Sequence, residues 1–211
     1  MSPHQPGMQA HLLSPRPLKD GPAVQPAGDQ SGPGRPRHLP GDPIAPLERM
    51  IRVDQAGEYG AARIYAGQLA VLGKGEKGPM IRHMAQQEQE HLDTFNRLAR
   101  ERGVRPTALQ PFWHLAGWAL GAGTAAMGSR AAMACTVAVE EVIDQHYAEQ
   151  AARLGPEEEA LKATIEKFRA EELEHRDIGL AHEAELATGY PVLSALIKAG
   201  SRTAIWLSER L

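Results

Sequence analysis

Two short segments of the chain carry the same arrangement of acidic and imidazole side chains. Residues 87–93 read QEQEHLD and residues 171–177 read EELEHRD, so both contain Glu-x-x-His-x-Asp. On an α-helix, positions three apart lie on one face, and each segment can therefore direct a carboxylate and an imidazole to one point. These two groups together are typical ligands of divalent transition metals. Each segment predicts half of a metal site.

The motif alone is a weak indication, because glutamate and histidine are frequent enough here that one Glu-x-x-His is expected by chance. An internal repeat makes it stronger. Each motif follows a single glutamate by about thirty residues, and that glutamate is followed seven residues later by a tyrosine, two helical turns on. The pairs are Glu58 with Tyr65, and Glu140 with Tyr147.

Glu141 competes with Glu140 for the inward position, and the matching offset to a tyrosine favours Glu140. Four carboxylates gathered in an apolar interior would carry a large cost of desolvation and repulsion, which two divalent cations can offset. The ligand types fit iron or manganese. Asp93 and Asp177 either orient the histidines or face solvent. The predicted metal ligands are Glu58, Glu88, His91, Glu140, Glu172 and His175.

Apolar residues at three- and four-residue spacing predict four helices that carry these ligands on their buried faces. The segment Gly73-Lys74-Gly75 ends the first helix, Pro79 begins the second, and Gly155-Pro156 ends the third. Short connections predict two antiparallel hairpins in an all-α four-helix bundle. The predicted ligands are of the same types as those of ferritin-like di-iron and di-manganese bundles. The four apolar stripes cover residues 47–72, 81–98, 133–154 and 161–186.

Two further segments are apolar without carrying ligands. Residues 112–127 are uncharged and rich in glycine, and they hold two of the three tryptophans. This run is at the short edge of what crosses a bilayer, so it is either a buried crossover between the hairpins or one that touches a membrane. Residues 191–207 form an amphipathic helix that lies either in a bilayer interface or on the bundle.

Composition indicates one globular domain, since 42% of the 211 residues are hydrophobic. A net charge of −3 gives no general attraction to nucleic acid. The single cysteine, Cys135, argues against a disulfide framework or a cysteine metal site. Residues 1–43 contain ten of the sixteen prolines and are predicted to be a disordered tail, and the ordered domain is predicted to span 44–211.

Five segments of the chain carry a recognisable pattern: RVDQAGEYGA at 52–61, IYAGQ at 64–68, ACTVAVEE at 134–141, EELEH at 171–175 and LSERL at 207–211. These segments closely resemble the demethoxyubiquinone hydroxylases of ubiquinone biosynthesis, and the likeness covers essentially all of residues 47–211. The resemblance implies a ferritin-like di-iron monooxygenase that uses O2 to hydroxylate 2-polyprenyl-3-methyl-6-methoxy-1,4-benzoquinol. It implies iron at the six predicted ligands, with Glu88 and Glu172 bridging, and it assigns His146 and Tyr147 to handling electrons or the quinone.

The same resemblance implies the partners and the location. The expected partners are the prenylated benzoquinol, a membrane surface, an electron donor and other ubiquinone-biosynthesis proteins. The expected location is peripheral, on the cytoplasmic side of the cell inner membrane, or at the mitochondrial inner membrane for a eukaryotic source. The alternatives are a ferritin-like oxidase or peroxidase, an iron-storage bundle, and a metal-free bundle that binds lipid.

Overall fold

The computed structural model describes residues 45–211, and within these the chain forms α-helices and short 3-10 turns but no β-strand. This confirms the all-α prediction. The predicted disordered tail, residues 1–43, lies outside the described residues. The helices are α1 (Pro46–Leu72), α2 (Gly78–Glu101), α3 (Gln110–Ala126), α4 (Ser129–Arg153), α5 (Glu159–Ala181) and α6 (Tyr190–Ser208).

Two helical hairpins build the bundle. The helix α1 packs against α2 and α4 packs against α5, as the short connections predict. The α1–α2 turn follows the glycine and proline signals, because α1 ends before Gly73 and Pro79 lies in the first turn of α2. Arg82 Nη1 donates to the Gly73 carbonyl oxygen at 2.7 Å and so satisfies one of the free carbonyls at the end of α1.

The glutamates and histidines of the predicted metal site lie between two apolar clusters. One cluster includes Met84 and the other includes Phe95, and both side chains are fully buried. On α2, Glu88 and His91 occupy the two buried turns between them. The bundle therefore places its acidic residues in the middle of the core, with hydrophobic packing at both ends.

The helices α3 and α6 both pack on α1 and α4. The α1–α3 contact is close because glycines meet there: a Cβ atom at Gly121 would overlap the Ile64 carbonyl oxygen, and one at Gly67 would overlap the Trp118 carbonyl oxygen. The crossover is thus a helix anchored to the bundle by backbone contact. None of the described helices has the length and apolar character needed to cross a membrane.

One predicted boundary is wrong. The fourth apolar stripe was expected to continue through His182 to Leu186, but α5 ends at Ala181. Glu183 adopts the left-handed conformation with a φ of 64°, which breaks the helix. Leu186 then lies in a short turn and is 61% exposed.

Candidate metal centre

The six predicted ligands meet in the interior of the bundle. Each is at most 3% exposed, although four of them are carboxylic acids. Each hairpin supplies three, with the single glutamate on its first helix and the Glu-x-x-His pair on its second. They are Glu58 on α1, Glu88 and His91 on α2, Glu140 on α4, and Glu172 and His175 on α5.

These residues form two groups of possible metal donors. Within each group, one donor atom from every residue lies within 4.8 Å of the others. Glu88 and Glu172 belong to both groups, so these two carboxylates could help to hold either ion. The first group is completed by Glu58 and His91, and the second by Glu140 and His175.

Burial changes the protonation of the acids. Desolvation raises the pKa of Glu88 and Glu140 well above the ordinary carboxyl value, and the charge of Glu172 raises it further. Desolvation also raises the pKa of Glu58, although a hydrogen bond with His91 opposes the change. The cluster therefore retains protons where a bound cation would take their place.

His91 and Glu172, in contrast, are held in their charged forms. Burial favours the neutral forms, but hydrogen bonds with Glu172 and Glu58 raise the pKa of His91 to about 12. Burial likewise opposes ionisation of Glu172, yet its hydrogen bonds with His175 and His91 lower its pKa to about 2. Positive charge is thus already placed beside Glu172, where the bridging position is predicted.

Four potential metal-donor atoms of the centre make no well-formed hydrogen bond within the described part of the chain: both oxygens of Glu88, Oε2 of Glu172 and Nδ1 of His175. They lie against one another instead, with His175 Nδ1 3.0 Å from Glu88 Oε1 and 3.3 Å from Glu172 Oε2. Buried polar atoms are rarely left unpaired, and these belong to the shared carboxylates and to one imidazole. Oxygen and imidazole nitrogen are ligands that divalent iron accepts. The residues present therefore fit a pair of metal ions.

Each histidine is oriented by a residue from the opposite hairpin. His91 Nε2 lies 2.7 Å from Glu171 Oε2, and His175 Nε2 lies 3.0 Å from Gln87 Oε1. The Nδ1 atoms consequently face the centre, with His91 Nδ1 3.1 Å from Glu172 Oε1. Glu171 and Gln87 were not among the residues predicted from the sequence. Their one common sequence signal is that each immediately precedes a shared glutamate.

Asp93 and Asp177 do not orient the histidines. Asp93 accepts a hydrogen bond from Gln89 at 2.9 Å, and Asp177 pairs with Arg176 at 2.6 Å. Both aspartates lie on exposed positions of their helices. Of the two roles left open by the sequence, the structure places them in the solvent-facing one.

The repeated tyrosines cross between the hairpins. Tyr65 donates to Glu140 Oε1 at 3.0 Å, and Tyr147 donates to Glu58 Oε1. Each tyrosine therefore fixes a glutamate of the other repeat rather than its own. We call Glu58 and Glu140 the terminal glutamates, because each belongs to only one of the two donor groups. Glu140 is the inward residue of its pair, since Glu141 is partly exposed and forms an ion pair with Lys198.

His146 lies one step further from the centre than Tyr147. Its Nε2 atom is 3.5 Å from Asp54 Oδ1 and 2.8 Å from Gln150 Nε2, and its side chain is 16% exposed. Gln150 donates to Asp54 Oδ1 at 2.7 Å, and desolvation raises the pKa of this buried aspartate. His146, Asp54 and Gln150 form a polar cluster between solvent and the Tyr147 side of the centre.

An apolar cavity of about 250 Å³ lies on the side of the bundle covered by α3 and α6. Its wall includes Gly57 and Val139, the immediate sequence neighbours of Glu58 and Glu140. Small residues on α6, among them Ala204, leave the space open. The cavity can hold an apolar ring close to the carboxylate cluster.

Comparison with known proteins identifies the family. The model for the family described as ubiquinone biosynthesis protein COQ7 matches residues 45–208, which include every helix described above. The chain belongs to the COQ7 family. Its bundle is accordingly the ferritin-like fold of that family, and the chain is an oxidoreductase of ubiquinone biosynthesis.

Members of the COQ7 family from distant organisms resemble the chain over most of their length. The 3-demethoxyubiquinol 3-hydroxylase of Rhodospirillum rubrum is 60% identical over 176 residues, covering 82% of this chain and 83% of that protein. The human NADPH-dependent 3-demethoxyubiquinone 3-hydroxylase, mitochondrial, is 58% identical over 171 residues, covering 79% of each. The 5-demethoxyubiquinone hydroxylase, mitochondrial, of Saccharomyces cerevisiae is 45% identical over 182 residues, covering 78% of each.

Proposed function

We propose that the chain is a 3-demethoxyubiquinol 3-hydroxylase, which hydroxylates 2-polyprenyl-3-methyl-6-methoxy-1,4-benzoquinol at a pair of iron ions. The observation that carries the proposal is the two buried groups of donors that share Glu88 and Glu172, in a bundle of the COQ7 family. Family membership favours this reaction over the oxidase, peroxidase, storage and lipid-binding alternatives.

Glu58 and His91 would hold one ion, Glu140 and His175 the other, and the shared carboxylates both. When bound, the iron pair supplies the redox chemistry that activates O2. One oxygen atom enters the quinol ring and the other leaves as water, with two electrons and two protons from an external donor. The human relative is named NADPH-dependent. An electron donor is an expected partner of this chain, and other ubiquinone-biosynthesis proteins are expected as separate partners.

The protein holds the ligands and keeps water away. Tyr65 and Tyr147 each occupy one oxygen of a terminal glutamate, which leaves the second oxygen free to bind metal. Both tyrosines are 1% exposed, so these hydrogen bonds form in an interior of low dielectric, where they are stronger than in water. We propose that His146 and Tyr147 handle electrons or the quinone on this side of the centre, and that His146, in its polar cluster with Asp54 and Gln150, exchanges protons with solvent.

The apolar cavity is the proposed position of the quinol ring. Its walls from α1 and α4 adjoin Glu58 and Glu140, and its remaining walls come from α3 and α6. A prenyl tail is nearly insoluble in water, so the substrate must arrive from lipid. Entry between α3 and α6 connects the lipid phase to the carboxylate cluster.

Exposed apolar side chains on α3 and α6 favour attachment to a membrane surface. Phe112 and Leu115 on α3 are 60% and 68% exposed, and Val192 and Leu196 on α6 are 66% and 67% exposed. Such side chains can enter the interfacial region of a bilayer without a spanning helix. We place the chain at the cytoplasmic face of a bacterial inner membrane, or at the mitochondrial inner membrane in a eukaryote.

The test is quinone analysis in a strain that lacks its own hydroxylase. Expression of the wild-type chain should convert accumulated demethoxyubiquinone to ubiquinone, as measured by mass spectrometry. Ala204→Phe fills the cavity and should abolish conversion without loss of iron. Ala199→Phe adds the same ring at an exposed position of α6 that does not line the cavity, and should remain active. Absence of conversion by folded, iron-loaded wild-type protein would contradict the proposal.

A further inference from the structure

The two halves of the centre have the same arrangement of one glutamate, one histidine and one tyrosine. The His91 half consists of Glu58, His91 and the tyrosine from the other repeat, Tyr147. The His175 half consists of Glu140, His175 and Tyr65 in the same relation. Both halves share the two central carboxylates, so neither has more acidic ligands than the other.

The two halves differ in the residue that contacts the Nε2 atom of each histidine. In the His91 half, Nε2 of the imidazole faces a carboxylate oxygen of Glu171 at 2.7 Å. In the His175 half, the corresponding atom faces the amide oxygen of Gln87 at 3.0 Å. Glu171 and Gln87 occupy equivalent positions, each immediately before a shared glutamate. The difference between a carboxylate and an amide therefore lies on equivalent contacts.

We infer that Glu171 and Gln87 are positioning residues that make the two metal sites unequal, so that the His91 half binds its ion more tightly. The inference rests on the proposed di-iron function and extends it, because it assigns different properties to the two ions. Glu171 and Gln87 would contact neither metal nor substrate and would act through the histidines.

The physical reason is the charge of the hydrogen-bond acceptor. An imidazole that donates its N–H to a carboxylate is a more basic ligand than one that donates to a neutral amide, and partners of this kind change metal affinity by about 10–100-fold. The short distance to Glu171 is typical of a charge-assisted bond. The ion bound by His91 should also have its higher oxidation state stabilised.

Glu171 is not the only residue that orients the His91 ring. The His91 ring also stacks on Phe168, with the ring centroids 3.9 Å apart. Glu171 is partly exposed and forms an ion pair with Lys167 at 3.5 Å, so the position accepts a polar replacement. Replacing its carboxylate by an amide of the same shape changes the electronic character of His91 while the packing keeps the ring in place.

The experiment is a titration of the metal-free, full-length protein with Co²⁺, followed by visible absorption and by chelator competition to obtain two stepwise dissociation constants. We expect two ions per chain. Glu171→Gln should raise the first dissociation constant about tenfold and leave the second nearly unchanged, so that the two constants become more similar. Gln87→Glu should lower the second dissociation constant, which also makes the two constants more similar. The double exchange should restore the wild-type ratio.

A spectroscopic signal distinguishes this effect from a general structural one. In proton NMR of the protein with one Co²⁺, the hyperfine-shifted imidazole N–H signal should move in Glu171→Gln but not in Gln87→Glu. Glu174→Gln removes the same charge from an exposed position of α5 and should change neither constant nor signal.

The outcomes separate this inference from the proposed function. If wild-type protein binds fewer than two ions, the di-iron function fails. If it binds two ions but Glu171→Gln and Gln87→Glu lower both constants equally, or change neither, the inequality of the sites fails and the di-iron function stands. Because Gln87→Glu is independent of Glu171, misfolding of one variant does not remove the test.

Discussion

Burial governs how the individual side chains of the centre behave. Glu58, Glu88 and Glu140 are acids whose pKa values are raised chiefly by desolvation, and Glu172 is held ionised by two histidines. In water none of these groups would need a partner. Inside the bundle they need either protons or cations, so the hydrophobic core itself creates the demand for metal.

His146 offers a test at a single position. We expect His146→Gln to retain both ions and to lower hydroxylation about 100-fold, since glutamine keeps a polar contact with Asp54 but cannot carry a proton. The measurement is turnover with saturating reductant on iron-loaded protein. Gln145→Ala is the control, because Gln145 is exposed on the same helix and contacts only Glu149 among the hydrogen bonds described. Unchanged turnover in His146→Gln would remove His146 from proton handling.

Residue types and spacing were sufficient to select six residues that face the interior together, because a helix converts sequence offsets directly into a shared face. The partners of the histidines could not be found in this way. Glu171 and Gln87 contact residues of the opposite hairpin, and no offset within one helix encodes which residue faces them across the bundle. Asp93 and Asp177 share an offset from the histidines but point to solvent.

At the scale of elements, α3 depends on glycine. Its backbone lies against α1 at Gly121, where a Cβ atom would overlap the carbonyl oxygen of Ile64, whereas a Cβ at Gly123 would meet nothing within 4 Å. Both glycines are in the same uncharged helix, and sequence alone does not distinguish them. The helix could be predicted as a crossover, but its distance from α1 is fixed by tertiary contact.

We expect Gly121→Ala to lower the free energy of unfolding by about 1–3 kcal/mol, because the methyl group forces α3 away from α1. Gly123→Ala is the matched control. It should raise the free energy of unfolding by up to about 1 kcal/mol, since alanine favours the helix and the site is open. Urea denaturation of both variants measures the difference, and equal effects would contradict the close packing of α1 and α3.

The apolar surfaces of α3 and α6 provide a second test at this scale. We expect Leu115→Ser with Leu196→Ser to weaken binding to phospholipid vesicles at least about tenfold, since each leucine contributes about 1.5–3 kcal/mol when buried in an apolar phase. Vesicle sedimentation measures the binding. Leu180→Ser is the control, because Leu180 is 37% exposed on α5, which packs on neither α3 nor α6 within the described residues. A similar loss with Leu180→Ser would argue against a membrane-facing side.

For the molecule as a whole, the acidic centre links stability to pH. The raised pKa values of Glu58, Glu88 and Glu140 contribute stability that is present below the ordinary carboxyl pKa of 4.5 and is lost as the pH rises through the raised values. His91, with its pKa raised to about 12 from 6.5, contributes stability that declines as the pH rises above 6.5. The lowered pKa of Glu172 affects the pH dependence of stability only below the ordinary carboxyl pKa of 4.5.

We therefore expect the free energy of unfolding of the metal-free protein to fall as the pH rises above the ordinary carboxyl pKa of 4.5, and to fall further above the ordinary histidine pKa of 6.5. Metal displaces the protons in the folded state, so the loaded protein should not show this decline, and the stability difference should widen as the pH rises. Urea unfolding at several pH values, with chelator or with metal, measures both curves. Parallel curves, or metal-free protein that gains stability over this range, would contradict the linkage.

The iron content of the protein after anaerobic reconstitution with Fe²⁺ and removal of free metal tests the di-iron centre most directly. We expect two iron ions per chain for the wild-type protein and loss of stable iron binding in Glu172→Ala, which removes a shared carboxylate. Glu174→Ala, at an exposed position two residues away, should still bind two. A wild-type chain that binds no iron, or a Glu172→Ala chain that binds two ions and remains fully active, would contradict it.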